Sequence, residues 1–148
     1  MPAGAPRAET IVPRVLVVDD YQDGADSLAL MLRALGADAR AAYDGESAVQ
    51  SAADFRPHLV LLDLGLPGAT GVDIGRAILD MIGGASPAPR VVAVSGRSDD
   101  ASRQACADAG FTGFLVKPVG LEAIARVVDE CRPEAPEPPD THSRLRPA

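Results

Sequence analysis

The sequence has no tryptophan, only two tyrosines and three phenylalanines, so any core must be packed from Val, Leu, Ile and Ala. A hydrophobic share of 47% makes that feasible. Cysteine is almost as scarce. Cys106 and Cys131 stand far apart with no short metal-ligand spacing, which excludes a disulfide framework and a zinc site. Basic residues are outnumbered, 14 against 21 acidic, for a net charge of −7. That balance argues against a nucleic-acid partner, because binding phosphates takes a basic face. The surplus of carboxylates suits a site gathered around a divalent cation instead. No apolar run approaches the roughly 20 residues of a membrane span, and the N-terminus has no apolar signal region. The expectation is a soluble, cytoplasmic protein with no membrane partner.

A chain of 148 residues fits one domain plus tails. Residues 1–12, rich in Ala, Pro and Gly, read as a flexible leader. Residues 132–148 read as a Pro-rich, disordered tail with almost nothing to bury. Between them, over 13–131, strand and helix patterns alternate. The run VLVVD (Val15 to Asp19) has the β-branched character of a strand buried on both faces. A helix follows with Ala25, Leu28, Ala29, Leu32 and Leu35 on one face, closed by Gly36. Asp38 to Ala42 is a weak strand. Gly45 to Phe55 is a helix with Ala48, Val49 and Ala52 inward, stopped at Arg56-Pro57. LVLLD (Leu59 to Asp63) repeats the first strand's character. Gly71 to Ile82 is helical, with Gly75, Ile78, Leu79 and Ile82 together, and Gly83 to Pro89 breaks it. VVAVS (Val91 to Ser95) and FTGFLV (Phe111 to Val116) are buried-type strands separated by a weakly apolar helix, Asp99 to Ala109. Leu121 to Cys131 is a last helix with Leu121, Ile124, Ala125 and Val128 inward. Five strands alternating with five helices predict an α/β fold, a doubly wound five-stranded parallel sheet. In such sheets ligands bind outside the carboxyl ends of the strands.

The residues able to do chemistry fall at those ends: Asp19 and Asp20 after the first strand, Asp63 after the third, Ser95 after the fourth, Lys117 after the fifth. Singly each has a plain structural reading. Asp20 suits a helix N-cap, Asp63 a turn, Ser95 a loop cap, Lys117-Pro118 a solvated turn. Together they form a different object. Three crowded carboxylates repel unless a partner such as Mg²⁺ relieves them, and a lysine and a hydroxyl opposite would stabilise a phosphoryl group. Phosphoryl transfer needs little beyond such positioning and charge neutralisation.

The ordered segments VLVVDD, LVLLDLGLPG, VVAVSG and GFTGFLVKPVG resemble the receiver domain of two-component response regulators, over about Pro13 to Cys131. The local sequences DDYQDGADSLALMLRALG and LLDLGLPG are also similar to receivers of hybrid sensor kinases. The resemblance implies that Asp63 accepts a phosphoryl group from a sensor histidine kinase or a histidine phosphotransfer protein. Asp19, Asp20, Asp63 and the Gly65 carbonyl would hold Mg²⁺. Lys117 and Ser95 would contact the phosphoryl group, and the Lys117-Pro118 peptide would be cis. Ser95 and Phe114 would form the switch. A downstream protein target would be engaged through the 99–131 face. Such a domain is no enzyme beyond promoting its own phosphorylation and dephosphorylation.

The chain departs from the pattern in places. Gly65 and Arg97, with Gly96, occupy positions expected to modulate phosphate lifetime. Phe114 lacks the hydroxyl of the more common tyrosine, which leaves the switch to packing. Thr70 replaces a frequent aspartate, and Tyr21 follows the acidic pair, as a partial roof over the crevice or simply as the residue that begins the helix. After Cys131 too few residues remain for an output module, so the expectation is a stand-alone receiver or a phosphorelay link. The rival readings are an aspartate-dependent phosphohydrolase, a flavodoxin-like cofactor binder and a pseudo-receiver used only for contact. The first lacks a second acid at Gly65, and the second would meet acidic DDYQDG where its phosphate should sit.

Overall fold

A computed structural model describes residues 12–66, 70–82, 84, 88–97 and 99–131. The leader apart from Val12, the tail, the Pro67-Gly68 step and most of the break between Ile82 and Arg90 lie outside the described residues. Strands β1 (Arg14–Val18), β2 (Asp38–Ala42), β3 (Leu59–Asp63), β4 (Arg90–Ser95) and β5 (Gly113–Val116) alternate with helices α1 (Gln22–Ala34), α2 (Gly45–Phe55), α3 (Gly71–Ile82), α4 (Asp100–Asp108) and α5 (Leu121–Cys131). All strand pairs are parallel, in the order β2-β1-β3-β4-β5. This is the doubly wound sheet that the alternation predicts.

Period-two alternation along the buried strands divides the core. Val15, Val17, Leu59, Leu61, Val92 and Val94 face α1 and α5, where Ala25, Ala29, Leu32, Ile124 and Val128 meet them. Leu16, Val18, Val60, Leu62, Val91 and Ala93 face α2, α3 and α4. Strands buried on both sides carry no polar alternation, which is why β1, β3 and β4 read as continuous apolar runs. Each fully buried Leu or Val contributes about 1.5–3 kcal/mol by leaving water.

Helix ends follow local chemistry. Gly36 and Gly110 both have φ near 95°, and each closes its helix with paired bonds: Gly36 N–H to Arg33 O and Ala37 N–H to Leu32 O, then Gly110 N–H to Ala107 O and Phe111 N–H to Cys106 O. Phe111 thus belongs to the α4 cap rather than to β5, which starts at Gly113. Leu121, expected inward, is 55% exposed. It is the first residue of α5, and that helix's buried line runs Ile124, Val128, Cys131. The stop at Arg56 takes the form of a left-handed residue, φ 53°, ahead of Pro57. Arg14 Nε donates to Phe55 O and Arg56 O there (3.0 and 2.9 Å), satisfying carbonyls that α2 leaves open.

Candidate functional site

The strand order reverses between β1 and β3: β1 leads into α1 on one face, β3 into α3 on the other. A crevice opens at that switch point. Asp19 directly follows β1, and its Oδ1 accepts the Tyr21 N–H at 3.1 Å. Asp20 is exposed and does not cap α1, whose N-cap position is Tyr21. Asp63 ends β3 at 9% exposure, with Oδ1 accepting the Gly65 N–H at 3.0 Å. Lys117 Nζ stands 3.4 Å from Asp19 Oδ2 and 3.5 Å from Asp63 Oδ2. The Lys117-Pro118 peptide is cis. Asp19, Asp63 and Lys117 continue the odd-numbered side of their strands, the side facing α1 and α5. Strand periodicity therefore brings together residues as far apart in sequence as Asp19 and Lys117.

One carboxylate oxygen each from Asp19, Asp20 and Asp63 lies within 4.8 Å of the others. Burial pushes the Asp63 carboxyl above the ordinary carboxylate range and Asp19 adds to the rise, while the Gly65 amide and Lys117 pull the other way. A single lysine against three acids leaves a negative excess. An all-oxygen donor set of this spacing fits a hard divalent cation such as Mg²⁺, which would remove the repulsion.

The supporting contacts are close. A Cβ on Gly71 would come within 2.7 Å of Asp63 O and Leu64 Cα, so α3 begins directly against the backbone that presents Asp63. Thr70, where an aspartate is frequent, accepts the Asp73 N–H at 3.1 Å through its hydroxyl and so serves as the α3 cap. Ser95 is 8% exposed and its Oγ accepts the Arg97 N–H at 3.0 Å. The Lys117 N–H donates to Ser95 O at 2.8 Å, tying the ends of β4 and β5 together. Gly96 has open space where a side chain would begin, and a Cβ on Gly65 would stand 3.6 Å from Asp63 Oδ1.

Ser95 and Phe114 fall on the opposite side of the sheet from Asp63 and Lys117, toward α4. The half-buried Phe114 ring lies under the Arg103 guanidinium, 4.6 Å from its centre. Packing is therefore not the ring's only tie. Arg103 is the sole basic residue of α4, which was the one available hint in the sequence. A second feature left no such trace. Beside the carboxylates a cavity of about 560 Å³ opens between α1 and the β5–α5 connection, lined mainly by apolar side chains. Tyr21, 65% exposed at the N-cap position of α1, is one of the residues that line it.

Known proteins match this arrangement. The family described as "Response regulator receiver domain" matches residues 15–129. The transcriptional regulatory protein PrrA of Mycobacterium tuberculosis is 40% identical over 116 residues, covering 78% of this chain and 48% of PrrA. The DNA-binding response regulator MtrA of Mycolicibacterium smegmatis is 33% identical over 131 residues, covering 88% of this chain and 55% of MtrA. The chain thus spans about half the length of these relatives. Among solved structures, the chemotaxis protein CheY4 of Vibrio cholerae superposes with a TM-score of 0.75 at 22% identity, covering 82% of this chain and 99% of CheY4.

Proposed function

The chain belongs to the response regulator receiver domain family, and from that premise we propose that Asp63 accepts a phosphoryl group from the phosphohistidine of a sensor histidine kinase or histidine phosphotransfer protein. Receiver domains are signalling modules of two-component systems. The observation that supports Asp63 as acceptor is its position, buried at a strand end between two further carboxylates and the only lysine facing them.

In the proposed step an Asp63 carboxylate oxygen attacks phosphorus as the phosphorus–nitrogen bond breaks. The electron pair stays on the imidazole nitrogen, which takes a proton from solvent. Mg²⁺ held by Asp19, Asp20, Asp63 and the Gly65 carbonyl would supply the charge neutralisation that lets two anions approach. The Gly65 amide orients Asp63, and Lys117 would turn from the carboxylates to a phosphoryl oxygen. Ser95, on the other side of the sheet from Asp63, would have to be drawn toward the crevice; its hydroxyl accepts from Arg97 N–H, which leaves its own hydrogen free to donate to the phosphoryl group there. Nothing in this step calls for a domain beyond 13–131.

Gly65, two residues after Asp63, and Gly96 and Arg97, which follow Ser95, are proposed to set the lifetime of the phosphate. Arg97→Ala is expected to change the decay rate of the aspartyl phosphate, followed by loss of label; an unchanged rate removes Arg97 from the account. The readout is proposed to be a population shift of Ser95, Phe114 and the 99–131 face toward a protein target. With its net charge of −7, this chain is proposed to contact no nucleic acid itself, whatever the full-length relatives bind.

The test is incubation with acetyl phosphate and Mg²⁺. Wild type should gain an acid-stable, base-labile phosphate adduct, lost in Asp63→Asn and in the presence of chelator. A label that persists in Asp63→Asn overturns the assignment.

A further inference from the structure

Phosphoryl transfer uses the carboxylate end of the crevice and leaves the 560 Å³ cavity beside it without a role. That volume is of the size that holds small organic ligands. Its floor is strand residues, Val17, Leu61 and Val94, and its walls include Leu28, Met31 and Val119. One end is different: Asp19 and Asp63 line it, with Asp20 adjacent and Lys117 as the single cation.

We propose that this cavity binds small amphipathic cations, an aromatic or aliphatic body carrying an amine or amidine, with the body between α1 and Val119 and the head at the carboxylates. Two independent features select that chemistry. The apolar walls gain by excluding water from an apolar body. The three acids against one lysine favour a positive head and reject a negative one. The construction of α1 keeps the space open. Gly24 has no side chain, and a Cβ there would lie 2.7 Å from the Tyr21 ring, so the ring rests against the helix where a larger residue would displace it. Met31, unbranched, adapts to differing bodies.

Such a ligand would occupy the charge that Mg²⁺ otherwise neutralises, so the two compete. The occupant would thereby hold the receiver in its unphosphorylated state. This goes beyond the phosphoacceptor reading and stands apart from it, since binding is measured without any phosphodonor.

The experiment is ¹H–¹⁵N and methyl NMR titration of the full chain with 4-phenylbutylamine, with 4-phenylbutanol for the body alone and butylamine for the head alone. Expected are shifts at Val17, Leu28, Met31, Leu61, Val94 and Val119, with binding about tenfold weaker for each partial probe, the size of one lost charge-assisted contact or apolar group. Adding MgCl₂ should weaken the amine but leave the alcohol unaffected. Ser27→Trp, at an exposed position lining the cavity, should abolish the shifts for all three. Should that variant fail to fold, Asp20→Asn should weaken the amine selectively. Equal affinity for amine and alcohol, indifference of the amine to MgCl₂, or shifts confined to other surfaces would overturn the proposal. So would no shift with any probe, the result expected if only a protein partner fills the cleft.

Discussion

At the scale of single residues, the tension is concentrated in Asp63. Its folded pKa is raised, so the folded state binds its proton more tightly than the unfolded chain does. Stability from this group is therefore present at low pH and lost as pH rises above the ordinary carboxylate value; at neutral pH the ionised group is destabilising. Asp63→Asn in chelator is expected to melt higher than wild type, because the neutral amide removes the buried charge. Mg²⁺ should raise the wild-type Tm more than the variant's. A variant that melts lower in chelator contradicts the reading. His58 runs the other way. Its Nδ1 accepts the Arg14 N–H at 2.9 Å, and burial, with Arg14 nearby, holds its pKa below the usual 6.5. Its contribution is complete above that value and fades as pH falls through it toward the folded pKa. In urea melts across pH, His58→Gln should remove that part of the decline below about pH 6.5; an unchanged slope difference rejects it. Asp19 and Asp63 were legible because each terminates a buried apolar run, and Lys117 because it follows the apolar run of β5, which the structure leaves only half-buried at the sheet edge. The link from Arg103 to Phe114 was not, since it depends on how α4 is rotated over β5.

At the scale of elements, α4 is the least anchored helix. Cys106 is its one buried residue, and Arg103 over Phe114 is its main side-chain tie to β5. A cation over an aromatic face contributes about 0.5–1 kcal/mol where partly exposed. Arg103→Ala should speed amide hydrogen exchange in α4 selectively, with α1 and α3 unchanged; uniform acceleration would indicate a global effect instead. At α3 the packing is tight. A Cβ on Gly75 would come within 2.2 Å of the Phe111 ring. Gly75→Ala should therefore destabilise by about 1–3 kcal/mol in denaturant melts, despite alanine's better helix propensity. A neutral result would show that Phe111 yields freely. Most element limits could be read from caps and breakers, such as Gly36 and Arg56-Pro57. The errors fell at element ends: Phe111 is apolar enough for a strand but caps α4, and Leu121 keeps helical spacing yet is the exposed first residue of α5.

At the scale of the whole molecule, the parallel sheet follows from the alternation of buried apolar runs with amphipathic helices, and the switch point between β1 and β3 follows from the order of the strands. No helix among the described residues is long and apolar enough to cross a membrane. The apolar cavity was not legible, because it is an open cleft lined by residues of several elements and no local pattern encodes it. What the sheet as a whole achieves is to hold Asp63 beside Asp19, Asp20 and Lys117, and the central claim is that this makes Asp63 the acceptor. Borohydride trapping tests it most directly. Protein treated with acetyl phosphate and Mg²⁺ is reduced, which converts an aspartyl phosphate to homoserine, and the modified position is mapped by peptide mass spectrometry. Homoserine at 63, in a Mg²⁺-dependent yield, is the predicted result; conversion at Asp19 or Asp20, or none at all, would contradict it.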